Sequence, residues 1–266
     1  MIRLISLPTD VNSSFLRGPA KAPQAIRRVL FSDMGNMAAE CGLELGRDIP
    51  FEDAGDLPLD ETSGDDGRIE AAVAACLAEG AAPILLGGDH AVTFPILRAV
   101  AAHHGPVQIL HFDAHPDLYD SYQGNRRSHA SPFARIMEEG LASRLVQVGI
   151  RTLNAHGREQ AERFGVEIVP MTGFTPEAVP ALEGPLYISI DLDGLDPAYA
   201  PGVSHHEPGG LSVRQVLEVL GRVNAPVIGA DIVEYNPDRD INDMTAAVAA
   251  KLVKELAALI WGRPRA

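Results

Sequence analysis

The chain has 266 residues, 46% of them hydrophobic, and sets 22 Lys and Arg against 36 Asp and Glu for a formal charge of −14. That length fits one large α/β domain or two small ones, with ample material for a core. The acidic balance disfavours nucleic acid or an anionic membrane as partner and is easier to reconcile with a cationic or neutral small substrate. The only two cysteines, Cys41 and Cys76, have neither CxxC spacing nor neighbouring histidines, so no disulfide framework or zinc knuckle is indicated and a reducing compartment is expected. No stretch is long and apolar enough to span a bilayer, and Met1 to Pro8 reads as a core strand rather than a signal peptide. The expected location is cytoplasmic.

In chain order, Arg3 to Leu7 gives a first strand, and Gly18-Pro19 opens a helix from Pro23 to Phe31. Residues 33 to 66 are rich in Gly, Asp and Pro, with one short candidate strand near Phe51. A helix from Arg68 to Glu79 is closed by Gly80, and a buried strand from Pro83 to Leu86 ends in Gly87-Gly88-Asp89-His90. Thr93 to Ala102 is helical, Val107 to Phe112 is a strand, and a long loop leads to a helix that Ser131 caps and Pro132 begins, running through Glu139. Arg144 to Ile150 is a strand, Ala155 to Phe164 a helix, Glu167 to Pro170 a strand and Pro176 to Leu182 a helix. The apolar strand Leu186 to Leu192, a helix from Val213 to Val223 capped by Ser212, a strand from Pro226 to Val233 and a helix from Asp243 to Ile260 complete the chain. Short strands alternating with helices of ten or more residues mean βαβ crossovers, a mainly parallel sheet and a three-layer αβα sandwich. No composition break divides residues 1–266, so a single domain is expected.

Three strand ends carry the same chemistry. One presents Asp89-His90, the next Asp113-x-His115-x-Asp117, and a later one Asp191-x-Asp193. The spacing of two residues points side chains to one side of an extended chain. Pro116 suggests that the strand stops there, which places the groups at a strand's C-terminal mouth, where open α/β sheets keep their ligands. Like charges about 4 Å apart repel by about 4 kcal/mol at an effective dielectric near 20, so such crowding calls for a cation. Two imidazoles and four carboxylates carry a charge of −4, which two divalent cations would neutralise. Oxygen-rich mixed ligation favours Mn²⁺ and leaves Ni²⁺, Co²⁺ and Fe²⁺ open. A metal pair would lower the pKa of a water held between its members. Asp89 reads as a partner orienting His90, and Asp196, before Pro197, as a turn residue.

Gly87-Gly88-Asp89-His90, Asp113-Ala114-His115-Pro116-Asp117 and Ser189-Ile190-Asp191-Leu192-Asp193-Gly194-Leu195-Asp196-Pro197 resemble, in order and spacing, the three signatures of the ureohydrolase family of arginases, agmatinases and related guanidino hydrolases. The resemblance covers nearly the whole chain. Asn12 to Leu16, Ser128 to Ser131, Ala200 to His205 and Gly229 to Pro237 are most similar to the plant-type branch. The resemblance implies an arginase-like fold and a homo-oligomer, trimer or hexamer. It implies that His90, Asp113, Asp117 and Asp191 hold one metal and that Asp113, His115, Asp191 and Asp193 hold the other. His129 falls where the family has a proton-moving histidine, and Glu234 where a carboxylate faces the guanidinium. Asn125, Ser128, Asn154 and His205, with Tyr119, are candidates to line a substrate pocket.

The implied reaction is hydrolysis of L-arginine to L-ornithine and urea, with agmatine or guanidinobutyrate as the alternative substrate. The animal-arginase runs that hold the α-amino acid end are replaced here by Gly124-Asn125-Arg126-Arg127-Ser128-His129 and Val203-Ser204-His205-His206. Arg126 and Arg127 could attract a substrate carboxylate, which favours arginine. A phosphoesterase is a weaker reading because the chain is acidic, and a non-catalytic role is weaker because the ligand set is intact.

Overall fold

Eight strands, all paired in parallel, form one sheet in a computed structural model that describes residues 1–262; the last four residues of the expected 1–266 domain lie outside those described. In chain order the elements are β1 (Ile2–Ser6), α1 (Ala22–Leu30), β2 (Phe51–Asp56), α2 (Asp65–Ala78), β3 (Ala82–Leu86), α3 (Thr93–His104), β4 (Val107–Phe112) and α4 (Pro132–Glu138). They continue with β5 (Ala142–Ile150), α5 (Ala155–Phe164), β6 (Glu167–Pro170), β7 (Leu186–Asp191), α6 (Val213–Arg222), β8 (Val227–Val233) and α7 (Met244–Trp261). The strand order is β2-β1-β3-β8-β7-β4-β5-β6.

Successive strand residues feed opposite layers, as the pleat requires. Leu4, Ile84 and Leu110 join α1, α6 and α7 on one face, while Ile5, Leu85 and Ile109 join α2, α3, α4 and α5 on the other. Strands covered on both sides read as continuous apolar runs, and every residue of β7 is buried. The edges differ. β2, Phe-Glu-Asp-Ala-Gly-Asp, is mostly exposed and charged, which discourages pairing with another chain. Helix α7 packs on its own sheet through buried Leu252 and Leu256, with Val248 and Leu259 partly buried against the same core.

Three expectations from the sequence are corrected. Pro176 to Leu182 is no helix: a single 3₁₀ turn, Pro176–Ala178, ends at extended Val179, because Val179 precedes Pro180 and the ring excludes the helical conformation there. β4 stops at Phe112, so Asp113, His115 and Asp117 lie in the loop beyond it rather than along one face of a strand. Ser131 makes no side-chain cap to α4, and its buried Oγ has no hydrogen-bond partner. Ser212, by contrast, caps α6 through a reciprocal box with Gln215.

The topology decides where chemistry can sit. β3, β8, β7 and β4 are consecutive neighbours in the middle of the sheet, and their C-terminal ends open on one side. Close backbone approaches seal that end. A Cβ on Gly88 would lie 1.6 Å from the Thr9 carbonyl oxygen, and one on Gly194 would lie 2.8 Å from the Asp113 nitrogen. After β8 the chain is tied down by Asp240, which accepts from the Tyr235 hydroxyl at 2.9 Å and from the amides of Thr245 and Ala246, so that it caps α7 from outside the helix.

Gly88→Ala is expected to destabilise the fold by about 3 kcal/mol or more, since the clash is with backbone that cannot rotate away. Gly67→Ala, in α2 with open space around its Cβ, should instead gain about 0.5–1 kcal/mol; denaturant midpoints of the two variants check both. Burial pushes the Asp240 carboxyl up, but the Thr245 hydrogen bonds outweigh it and hold the pKa below the usual 3.8. Its stabilisation is therefore present above that value and lost as pH falls through the folded-state pKa. Asp240→Asn should cost about 1 kcal/mol at pH 7 and less at pH 3, read as the change in urea midpoint.

Candidate metal centre and its pocket

His90 follows the glycine pair at the end of β3. Asp89 accepts from the amides of Ala91 and Asn12, at 3.0 and 2.8 Å, and so caps the turn His90–Val92 instead of orienting the imidazole as the sequence suggested. The ring is oriented by residues that sequence reading missed. Ser189 Oγ donates to Asp231 Oδ1 at 2.6 Å and stands 3.0 Å from His90 Nε2. Asp231 also accepts from Thr93 and Tyr187 hydroxyls, each at 3.0 Å. With the serine proton committed to Asp231, Oγ accepts from Nε2–H, and that assigns the lone pair to Nδ1.

Nδ1 is buried without a hydrogen-bond partner, yet it faces three carboxylate oxygens: Asp117 at 3.0 Å, Asp191 at 3.2 Å and Asp113 at 3.4 Å. One proton there could serve only one of them. A cation serves all four donors at once, and the chemistry of the set fits a divalent metal. Burial pulls the His90 pKa down, but the three carboxylates outweigh it and hold it well above the usual value. The cluster demands positive charge.

Asp113 Oδ1 accepts from the His115 amide at 2.6 Å and so makes the turn that the strand reading had replaced with straight chain. Its Oδ2 lies 2.9 Å from His111 Nε2, while His111 Nδ1 accepts from Gln147 Nε2 at 3.0 Å. Both His111 nitrogens are thus committed, and that residue holds Asp113 in place. Asp191 Oδ1 accepts from the Asp193 amide at 2.8 Å, and Asp193 Oδ2 lies 3.1 Å from His115 Nδ1. Burial first, then neighbouring carboxylates, raise Asp191 well above the ordinary range and Asp193 to about 6. Among the described residues three groups result, the donor atoms of each within 4.8 Å of one another: His90, His111 and Asp113; His90, Asp113, Asp117 and Asp191; and Asp113, His115 and Asp193. With both His111 nitrogens committed, the last two remain as candidate metal groups; Asp113 belongs to both, and Asp191 falls in the four-membered one.

Glu234, just past β8, stands at φ 64°, and Asp117 at φ 48°. Left-handed backbone at non-glycine residues costs of order 1–3 kcal/mol and persists where surroundings enforce it. In Glu234 the turn brings Oε1 to accept from the His90 amide at 2.9 Å and from His129 Nδ1 at 2.8 Å. Burial lowers the His129 pKa, but the charge of Glu234 outweighs it and raises the value to about 9. Ser14, which sequence reading gave no role, approaches His129 Nε2 with its hydroxyl at 2.8 Å and its amide at 3.2 Å.

A cavity of about 250 Å³ joins these groups, its wall including Asp117, Asp191, Asp193, His115, His129 and Glu234. Of the five substrate-side candidates, Tyr119, Asn154 and His205 line it. Asn125 and Ser128 do not, because their side chains fold their own loop: Asn125 Oδ1 accepts from the Arg127 amide and Ser128 Oγ from the Ala130 amide. Arg126 and Arg127 are also absent from the wall. Arg126 pairs with Asp120 and Glu138, and Arg127 with Asp66, so neither supplies the substrate-attracting charge considered from sequence.

Fold and site together define the class: a doubly covered parallel α/β sheet with an acidic, histidine-bearing pocket at its C-terminal edge whose donors could hold metal. The chain belongs to the arginase family, whose model matches residues 1–258. Arabidopsis thaliana arginase 1, mitochondrial, is 50% identical, over 97% of this chain and 80% of that protein. The human mitochondrial guanidino acid hydrolase is 36% identical, over 95% and 76%. The arginase structure from Medicago truncatula superposes with a TM-score of 0.91 at 43% identity, covering 97% of this chain and 87% of that one. The expectation of a cytoplasmic location is corrected by these relatives, since the Arabidopsis and rice arginases are named mitochondrial or chloroplastic/mitochondrial. Composition and charge do not distinguish one aqueous compartment from another. Among the described residues no helix is long and apolar enough to cross a membrane.

Ser189→Ala should weaken divalent-metal affinity by about 10–100-fold while leaving the fold intact, because it frees the His90 ring and tautomer. Competition against a fluorescent chelator measures this without reference to activity.

Proposed function

We propose that residues 1–266 act as one ureohydrolase domain that hydrolyses L-arginine to L-ornithine and urea, within a homo-oligomer, trimer or hexamer. The carrying observation is that the His129–Glu234 pair opens into the same cavity as the two donor groups. The choice of arginine is supported by relatives named arginases at 46–50% identity, against 35% for the chicken agmatinase.

In this reading His90, Asp113, Asp117 and Asp191 hold one cation and Asp113, His115, Asp191 and Asp193 the other, with Mn²⁺ favoured by the oxygen-rich set and Ni²⁺ or Co²⁺ as alternatives. When bound, the pair supplies a nucleophile at neutral pH by acidifying water. The protein's own groups do the rest. Burial pushes the Glu234 carboxyl up, but His129 outweighs it and keeps the pKa below its usual value, so the group is an anion that can accept N–H bonds from a guanidinium. That grip turns the guanidinium carbon toward the carboxylate cluster. Cleavage of the C–N bond leaves an amine that must take up a proton, and His129, set on the cavity wall between Ser14 and Glu234 with its pKa raised to about 9, is the group that supplies it.

Agmatine is the second reading, favoured by one observation: among the described residues no Lys or Arg lines the cavity to meet the carboxylate that distinguishes arginine from it.

Urea release by the Mn²⁺-loaded protein should rank L-arginine above agmatine and 4-guanidinobutyrate. A preference for either alternative by more than tenfold in kcat/KM overturns the choice of arginine. His129→Ala should lower kcat by about 10²–10⁴-fold with the metals still bound, and Asp113→Ala should abolish both metal binding and turnover.

A further inference from the structure

The part of the cavity wall that faces neither the donor groups nor the His129–Glu234 pair is mostly uncharged. It includes Tyr119, Tyr122, Thr152, Asn154 and His205, the last with a pKa that burial lowers. Glu207 is the exception. It is half-buried on that wall, and among the described residues its carboxylate has neither an ion pair nor a hydrogen bond. Many of the chain's other carboxylates are matched by an arginine, a lysine or a backbone amide, as Glu40 is by Arg214 and Asp196 by the amides of Ala198, Gly209 and Gly210.

The backbone that carries Glu207 is held firmly. Arg151 donates to the Glu207 carbonyl from Nε at 2.9 Å and from Nη2 at 2.5 Å, and the same guanidinium reaches the carbonyls of Asp193 and Gly194. A Cβ on the nearby Gly210 would lie 2.6 Å from the Asp196 nitrogen and 2.7 Å from Arg151 Nη2, so the loop is seated tightly on the turn that holds Asp193. Pro208 further restricts Glu207 to extended backbone. The backbone that carries this carboxylate is therefore fixed on the same frame as the donor cluster.

We propose that Glu207 receives the ammonium group at the far end of the substrate, so that the enzyme takes guanidino compounds with a cationic tail and disfavours those whose tail is only anionic. The inference rests on the guanidino-hydrolase reading above and deepens it. With the guanidinium held at Glu234, the wall, among the described residues, offers the tail one carboxylate, that of Glu207, and no Lys or Arg. An ammonium desolvated there meets its partner. A lone carboxylate meets neutral donors at best, such as the Tyr119 hydroxyl, which accepts from Asn154 Nδ2 at 2.6 Å and so keeps its own proton to give. L-Arginine and agmatine both carry the ammonium; 4-guanidinobutyrate carries only a carboxylate, and butylguanidine carries neither.

The test measures kcat/KM for these four compounds with the Mn²⁺-loaded wild type, Glu207→Gln and Glu207→Lys. Glu207→Gln should lose about tenfold or more on arginine and agmatine, chiefly through KM, because a charged hydrogen bond made equally in ground and transition states is removed. The ratio of 4-guanidinobutyrate to arginine turnover should rise in Glu207→Gln and rise further in Glu207→Lys. If the 4-guanidinobutyrate to arginine ratio of kcat/KM is the same in all three proteins, because the variants lose nothing or lose equally on every compound, the assignment of Glu207 is overturned while the hydrolase reading stands. If the wild type releases urea from none of the four, both readings fall.

Discussion

Four carboxylates and two imidazoles share a small space at the floor of a cavity, most of them buried, and the molecule has to be understood as a device for tolerating that arrangement. At separations near 4 Å each pair of like charges costs about 4 kcal/mol at an effective dielectric near 20, and burial raises the cost of keeping any of them ionised. The strain is visible in opposite directions at once: Asp191 and Asp193 are driven toward their protonated forms while His90 and His115 are driven toward their charged ones. Each shift follows from burial and from the charges of the neighbouring donors. Divalent cations would relieve all of them together, so the donor set fits a metal site better than a set of ordinary buried ion pairs.

That concentration of charge is affordable because the surroundings fix where each donor atom points. Ser189 and Asp231 select the proton position on His90, and Gln147 does the same for His111, which in turn secures Asp113. The carboxylates of Asp113 and Asp191 each use one oxygen to accept a nearby amide and leave the other toward the cluster. Strained backbone at Asp117 and Glu234 serves the same end, since an extended chain at either position would swing the carboxylate away. Substrate recognition then depends on what the wall beyond the cluster offers, and there the structure supplies aromatic and amide surface, one histidine and a single additional carboxylate.

Much of this was legible in the sequence. Alternating short apolar strands and amphipathic helices specify an α/β sandwich because burial periodicity is a local property, and the motif residues around His90, Asp113 and Asp191 announce metal chemistry because acids and histidines rarely crowd without reason. The errors are equally instructive. The period-two spacing of Asp113, His115 and Asp117 suggested one face of a strand, whereas tight turns made by their own side chains group them. Asn125, Arg126 and Arg127 sit beside His129 in the chain and were natural pocket candidates, yet only His129 enters the pocket, because the arginines found acidic partners on Asp66, Asp120 and Glu138. Pairings of that kind join residues far apart in sequence or across a loop, and no local pattern encodes them.

By itself, then, the sequence determined the layered architecture and the family, and singled out six candidate metal donors, since each is written in periodicity or in a short run of residue types. Only the tertiary structure decided that β3, β8, β7 and β4 lie side by side, that Ser189 and Asp231 stand behind His90, that Ser14 meets His129, and that Glu207, on the cavity wall, finds no partner among the described residues. The reason is physical. Strand order, proton placement and the pairing of surface charges are settled by which distant groups pack together, and that choice is made by the whole folded chain.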